Sequence, residues 1–353
     1  MTAKPDIQAV PATQLPPDAH LMQVVAGCFL TQATYVAAKL GVADLLKNNP
    51  RPVAELARET STHERSLYRV LRALAGAGVF REVEPKVFAL TPPAEFLLTD
   101  TPGSMRDAAI FMGEKWHWQV YAEMLYSVQT GRVGWEKAHG MEVFPFFQQN
   151  PEESEIFNRA MTSFSTAVIP ALVEAAKENN VFEGVRTLAD IAGGHGMLLA
   201  GFLHADENLK GVLFDLPHVI EGAPALLAQE GVDERVELVR GDFFAEIPVA
   251  ADAYMMKFII HDWDDERSIK ILKNIRQSMP ENGKVILVEM VVPAGNEPHF
   301  AKIQDLEMMV SPGGAERTEQ EYRELFAAAG MRLTRVVPTK SPLSFVEAVK
   351  ATS

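Results

Sequence analysis

His261 in the segment KFIIHDWDDE, Glu289 in ILVEMVV and Glu316 in SPGGAERT are the side chains whose types suit proton transfer. An unperturbed imidazole titrates near neutral pH, so a histidine at the end of an apolar run is a natural candidate for a general base. A carboxylate accepting from its other ring N–H would fix its orientation. Glu289, at the end of its own apolar run, and Glu316, after two glycines, could each take that place. Plainer readings stand beside these: His261 as a satisfied edge histidine, Glu289 as a strand-end cap, Glu316 as a partner of Arg317 or a helix cap. The acidic run Asp262, Asp264, Asp265 and Glu266 reads as the start of a helix, with Asp264 as N-cap and its neighbours favouring the positive end of the dipole, rather than as a metal site.

A second chemistry-bearing stretch is TLADIAGGHGM, residues 187–197. Leu188, Ala189, Ile191 and Ala192 form the short apolar run of a covered strand. Gly193, Gly194 and Gly196 then allow a sharp turn and close approach to a ligand, and Met197–Ala200 opens a helix. About 20 residues on, after the run GVLF, Asp215 stands where a carboxylate can accept from ribose hydroxyls. A third run, VELV, leads to Asp242, suited to an adenine amino group, and Phe243, suited to its face. Singly, Asp190, Asp215 and Asp242 could each merely cap a turn; together they describe an adenosine site. A dinucleotide fingerprint would need Gly or Ala at position 199, where this chain has Leu199, which argues against a nicotinamide cofactor.

Strand and helix patterns alternate from TLADIAG through GKVILVEMVV. Two further helical stretches follow, then LTRVVPT and LSFVEAVKA with no helix between them. This predicts an α/β architecture, a doubly wound, mostly parallel sheet with an antiparallel pair at its end; a seven-stranded methyltransferase sheet accommodates that pair better than a dehydrogenase fold. His261 then falls at the carboxyl edge of the fourth strand, level with the glycine turn. Residues 20–48 read as apolar helix on too many sides for one-sided cover, so they want a partner. VAELARET, a turn at Ser61 and Thr62 supplying an N-cap, and HERSLYRVLRALAGAGVF read as a helix-turn-helix, and Phe80–Leu90 as a wing. Residues 1–19 are expected to form a flexible amino terminus, 20–100 a winged-helix dimerisation domain, 101–180 linker helices and a pocket wall, and 181–353 the catalytic domain. Within the aromatic-rich linker, Phe157, Met161 and Phe164 lie at helical spacing and are expected to line an apolar pocket.

The net charge of −14 opposes a broad nucleic-acid or anionic-membrane surface. In the winged-helix stretch, the cations from Arg51 to Lys86 are equal in number to the carboxylates from Glu55 to Asp100, so it lacks the positive excess of a DNA reader. The single cysteine, Cys28, excludes an intramolecular disulfide and a multi-cysteine metal site, and together with the lack of a membrane-length apolar run or a signal peptide leads us to expect a cytoplasmic protein.

LADIAGGHG, FDLPHVI, GDFF, KFIIHDWDDE, VEM and SPGGAERT occur in the order and approximate spacing of the S-adenosylmethionine-dependent small-molecule O-methyltransferases, and the chain resembles that family over nearly its whole length. The family includes the plant caffeate and hydroxyindole enzymes and bacterial antibiotic-tailoring enzymes. The resemblance implies a class I methyltransferase sheet behind a winged-helix dimerisation domain, a homodimer, a phenolic or polycyclic aromatic acceptor, and no metal. Residue by residue, it implies Ala192 and Gly193 at the methionine end of S-adenosylmethionine, Asp215 at the ribose, Asp242 and Phe243 at the adenine, Lys257 beside the adenosine, and His261 as the base flanked by Glu289 and Glu316. The family turn usually opens with three glycines; here Ala192 replaces the first, which is comfortable only if its φ stays negative. Two other readings are a family member that has left methyl transfer, which the intact His261 and both glutamates oppose, and a winged-helix ligand-sensing regulator, which the charge balance opposes.

Overall fold

The computed structural model describes residues 16–351, which divide into two compact units, one running through His117 and including Ile156–Ser163, the other comprising Trp118–Glu155 and the chain from Phe164 onward. The expected flexible terminus lies mostly outside the described residues; within them, helix already begins at Pro17.

In the first unit the apolar stretch after residue 20 is three helices, Pro17–Val25, Gly27–Lys39 and Val42–Leu46, the last entered through Gly41 at φ 65°. Leu21, Met22, Val24, Val25 and Phe29 on the first two are 58–75% exposed. The following helices, Val53–Glu59 and Glu64–Gly76, bury Leu56, Leu67, Leu71 and Leu74 against Phe80 and Phe88 of a small sheet. That sheet comprises β1 (Arg51–Pro52), β2 (Phe80–Glu84) and β3 (Val87–Leu90) in the order β1-β3-β2, and the turn of its hairpin is made at Lys86, φ 63°. One local expectation fails. The cap of Glu64–Gly76 is His63, without a side-chain capping bond, because the Thr62 hydroxyl is engaged with Thr60 at 2.9 Å and Ser61 takes a left-handed turn conformation.

The second unit is built on β4 (Thr187–Ile191), β5 (Lys210–Asp215), β6 (Val236–Arg240), β7 (Ala253–Lys257), β8 (Lys284–Met290), β9 (Met331–Pro338) and β10 (Leu343–Lys350), ordered β6-β5-β4-β7-β8-β10-β9. The first five are parallel, and β10 inserts antiparallel between β8 and β9, as the two late helix-free strands predict. Period-two alternation sends Leu213, Met255, Ile286, Val288 and Phe345 into one core layer and Val212, Phe214, Tyr254, Met256, Val285 and Leu287 into the other, so both faces are covered by helices. β4 and β7 are neighbours whose succeeding strands run outward in opposite directions. This is the switch point of a doubly wound sheet, where ligands collect at carboxyl ends.

Ala192, directly after β4, contradicts the expectation of a negative φ: it sits at φ 58°. Its N–H donates to Phe214 O at 2.7 Å, which holds the chain against β5 while it turns, and Gly193 passes so close beneath that a Cβ there would meet the Asp190 carboxyl at 2.5 Å. A left-handed conformation costs an L-residue roughly 1–2 kcal/mol, and glycine loses roughly 0.5–1 kcal/mol more chain freedom than alanine on folding. Ala192→Gly is therefore expected to stabilise the protein, by about 0.5–1 kcal/mol, read as a higher urea midpoint at unchanged slope; a lower midpoint would contradict the assigned backbone.

Candidate active site

His261 is presented by a single 3-10 turn, Ile260–Asp262, placed three residues beyond the end of β7. Two features shape that turn. Phe258 takes φ 54°, which reverses the chain and lays its ring on the imidazole, centroids 4.8 Å apart and 18° from parallel. Glu289 on the adjacent β8 accepts from the backbone N–H groups of Ile259 at 3.1 Å and Ile260 at 3.0 Å through one oxygen, Oε1. Glu289 thus acts as the cap of the turn that carries the histidine.

The imidazole is 6% exposed, Glu289 is fully buried and Glu316 is 4% exposed. Nδ1 of His261 lies 2.8 Å from Glu316 Oε1 and 3.9 Å from Glu289 Oε2. Of the two carboxylates that the sequence offers as acceptors for the imidazole N–H, only Glu316 is at hydrogen-bond distance; Glu289 supplies field and backbone support. Nε2 points the other way, 3.4 Å from Asp262 Oδ1. Burial, the largest cause, raises the pKa of both glutamates, against the opposing charge of His261 at Glu289 and of Arg317 at Glu316. Burial likewise pushes Asp262 up to about 6, with His261 the principal opposing influence. Neighbouring carboxylates add to the rise at Asp262 and Glu289, so each charge in this group makes the next harder to form. One ligand atom from each of His261, Glu289 and Glu316 can be chosen so that all lie within 4.8 Å of one another, a set that a metal ion as well as a proton could use.

The glycine turn faces this histidine turn across neighbouring strand ends. Asp215, closing β5, accepts from Gly194 N at 2.8 Å and Leu216 N at 2.7 Å, which fixes its carboxylate beside the turn while leaving a lone pair on each oxygen. Burial raises its pKa, and these two bonds oppose the rise. Asp242 is exposed and accepts from Phe244 N at 2.8 Å; Phe243 stands edge-on to Phe244, centroids 4.8 Å apart. Lys257 donates to Ser165 Oγ at 2.8 Å, and burial lowers its pKa. Asp190, under the turn, is 2% exposed with an unpartnered Oδ2, and burial pushes it up to about 7. A glycine cradle that a Cβ would fill, an anchored ribose-type carboxylate and an orphan carboxyl oxygen at one switch point fit the S-adenosylmethionine that the sequence implies. Phe157, Met161 and Phe164 all lie on helix Pro151–Glu178; Phe157 packs edge-on against Phe111 at 5.8 Å within the first unit, and Phe164 belongs to the second.

Asp262 and Phe258 are site residues that sequence reasoning missed. Asp264 does cap helix Asp265–Ser278, accepting from Arg267 N at 2.8 Å, as the acidic run suggested. Once Asp264 is assigned as the cap, Asp262 falls outside the helix and beside the histidine, which was the available signal. Phe258 had none, because nothing in an apolar run marks a positive φ.

Comparison with known proteins identifies the family. The O-methyltransferase domain matches residues 121–332 and the O-methyltransferase dimerisation domain residues 22–100. The chain is 44% identical to phenazine O-methyltransferase PhzM of Lysobacter antibioticus, across 96% of this chain and 97% of that protein. It is 35% identical to the mitomycin biosynthesis 6-O-methyltransferase of Streptomyces lavendulae, across 93% of each. Among solved structures, CalO1, a methyltransferase in calicheamicin biosynthesis in its S-adenosylhomocysteine-bound form, superposes with a TM-score of 0.85 at 35% identity, covering 95% of this chain and 98% of that one. No single helix among the described residues is long and apolar enough to cross a membrane. By these matches the chain belongs to the O-methyltransferase family and is an S-adenosylmethionine-dependent O-methyltransferase.

Proposed function

We propose that His261 is the general base that removes the proton of an aromatic hydroxyl as its oxygen is methylated. The observation that carries this reading is the 2.8 Å contact between His261 Nδ1 and Glu316 Oε1. A proton held on Nδ1 leaves Nε2 as the ring's basic nitrogen, and the charge that develops on the imidazole during transfer is met by a carboxylate in a buried setting.

S-adenosylmethionine supplies a methyl group already activated on a sulfonium, so the protein's tasks are alignment and proton removal. Asp215 would hold the ribose, Asp242 and Phe243 the adenine, Ala192 and Gly193 the methionine end, with Lys257 beside the adenosine. Phe157, Met161 and Phe164 would contact the ring of a small phenolic or polycyclic acceptor. Support for an aromatic acceptor comes from the phenazine-directed relative and from the density of aromatic side chains along residues 111–164. The exposed apolar faces of helices Pro17–Val25 and Gly27–Lys39, within the segment matched by the dimerisation model, support a homodimer. A cytoplasmic setting fits the single cysteine.

Three measurements check these assignments. With an acceptor identified by release of S-adenosylhomocysteine from a phenol panel, His261→Ala is expected to lower kcat by about 10²–10⁴ with product affinity unchanged; wild-type turnover would remove His261 from the chemistry. Asp215→Ala is expected to weaken S-adenosylhomocysteine binding by roughly 1.5–3 kcal/mol in calorimetry, the worth of hydrogen bonds to a charged acceptor; unchanged affinity would place the ribose elsewhere. Sedimentation is expected to show a species of about twice 38.9 kDa, and an active monomer would contradict the dimer.

A further inference from the structure

Arg317 follows the proposed orienting carboxylate Glu316 directly in the chain and is 3% exposed. Its guanidinium is spread over the turn that bears His261. One terminal nitrogen, Nη1, donates to Ile260 O at 3.1 Å and Ala315 O at 3.3 Å; the other, Nη2, donates to Trp263 O at 2.9 Å and Asp265 Oδ1 at 2.8 Å; Nε donates to Asp265 Oδ1 at 3.1 Å. Ile260 and Trp263 bracket His261, so one planar group spans both ends of the histidine turn and the residue before Glu316.

Backbone contacts complete the junction. Ala315 N donates to His261 O at 2.9 Å, and the two segments lie so close that a Cβ on Gly314 would meet that oxygen at 1.9 Å. Arg317 O accepts from Val292 N at 3.0 Å, tying the same loop to the continuation of β8, the strand that carries Glu289. The partner Asp265 is mostly exposed, with 77% of its side chain open to solvent, so the ion pair itself contributes little. What the guanidinium provides is satisfaction of three carbonyls in a fixed plane, two of them at the ends of the turn and one on the loop, and a lysine ammonium cannot reproduce that fork.

We propose that Arg317 is a positioning residue for methyl transfer: it latches the His261 turn onto the Glu316 loop and so keeps Nδ1 and Oε1 in register. The inference rests on the reading of His261 as base, because register between these atoms matters only if the imidazole takes the proton. Small displacements of such a pair are costly, since a shift on the order of 1 Å can cost about 10²-fold in rate.

The test is a double-mutant cycle in the full-length enzyme, comparing wild type, Arg317→Lys, His261→Ala and the double variant for kcat, KM and S-adenosylhomocysteine affinity. Arg317→Lys is expected to lower kcat about 10- to 100-fold, leave product affinity within about twofold, and have almost no further effect once His261 is already Ala. If the loss from Arg317→Lys is equally large in the His261→Ala background, or appears in cofactor affinity rather than kcat, Arg317 is a general structural support and the proposal fails. If His261→Ala alone costs nothing, the base reading fails first and is recognised separately. Should Arg317→Lys not fold, Arg317→Gln removes the fork while keeping one amide donor; about a 10- to 100-fold loss of kcat that vanishes in the His261→Ala background supports the proposal, and a loss that persists there overturns it.

Discussion

The proposed active site is built around one buried hydrogen bond, between His261 Nδ1 and Glu316 Oε1 at 2.8 Å. In a low-dielectric setting such a contact is strong if made and expensive if broken. Its two partners come from segments 55 residues apart, so the fold must bring a strand-end turn and a glycine-bearing loop within hydrogen-bond reach of each other. Glu289 supports the turn from β8 through two backbone N–H groups, Phe258 covers the imidazole face, and the close approach at Gly314 allows the loop to sit flush against the turn. The price is a set of carboxyls whose ionisation burial resists, as at Glu289, Glu316 and Asp262.

The cofactor end follows a different rule. At the proposed cofactor site the backbone makes most of the arrangement: Ala192 is held in a left-handed conformation, Gly193 packs on Asp190, and Asp215 is pinned by Gly194 and Leu216. Preorganisation of this kind lowers the ordering cost of binding. It also explains how alanine is accommodated at a positive φ: the neighbouring bond to Phe214 O and the packing below over-determine the turn, so local strain is tolerated.

Much of this was legible in the sequence because it is written in periodicity. Apolar runs of strand length separated by helical patterns foretell a doubly wound sheet, and the paired runs after residue 330 foretell the antiparallel insertion of β10. Strand ends then locate His261, Glu289 and Asp215 without knowledge of any contact. What escaped was set by backbone geometry and by long-range partners. The positive φ of Ala192 and Phe258 leaves no compositional trace. The choice of Glu316 over Glu289 as imidazole partner is decided by about 1 Å of loop placement. Ser61 and Thr62 carry good capping chemistry, yet Thr62 spends its hydroxyl on Thr60, and the helix starts at His63 without a side-chain cap.

The central claim is that Glu316 fixes His261 with its proton on Nδ1, leaving Nε2 free to act as base. Nitrogen-15 spectra of histidine-labelled enzyme, with His261→Gln used to assign the signal, read the tautomer directly. At a pH where the ring is neutral, a protonated, strongly hydrogen-bonded Nδ1 and an unprotonated Nε2 are expected, with the Nδ1 proton moving markedly upfield in Glu316→Ala. A proton on Nε2, directed toward Asp262, would contradict the account.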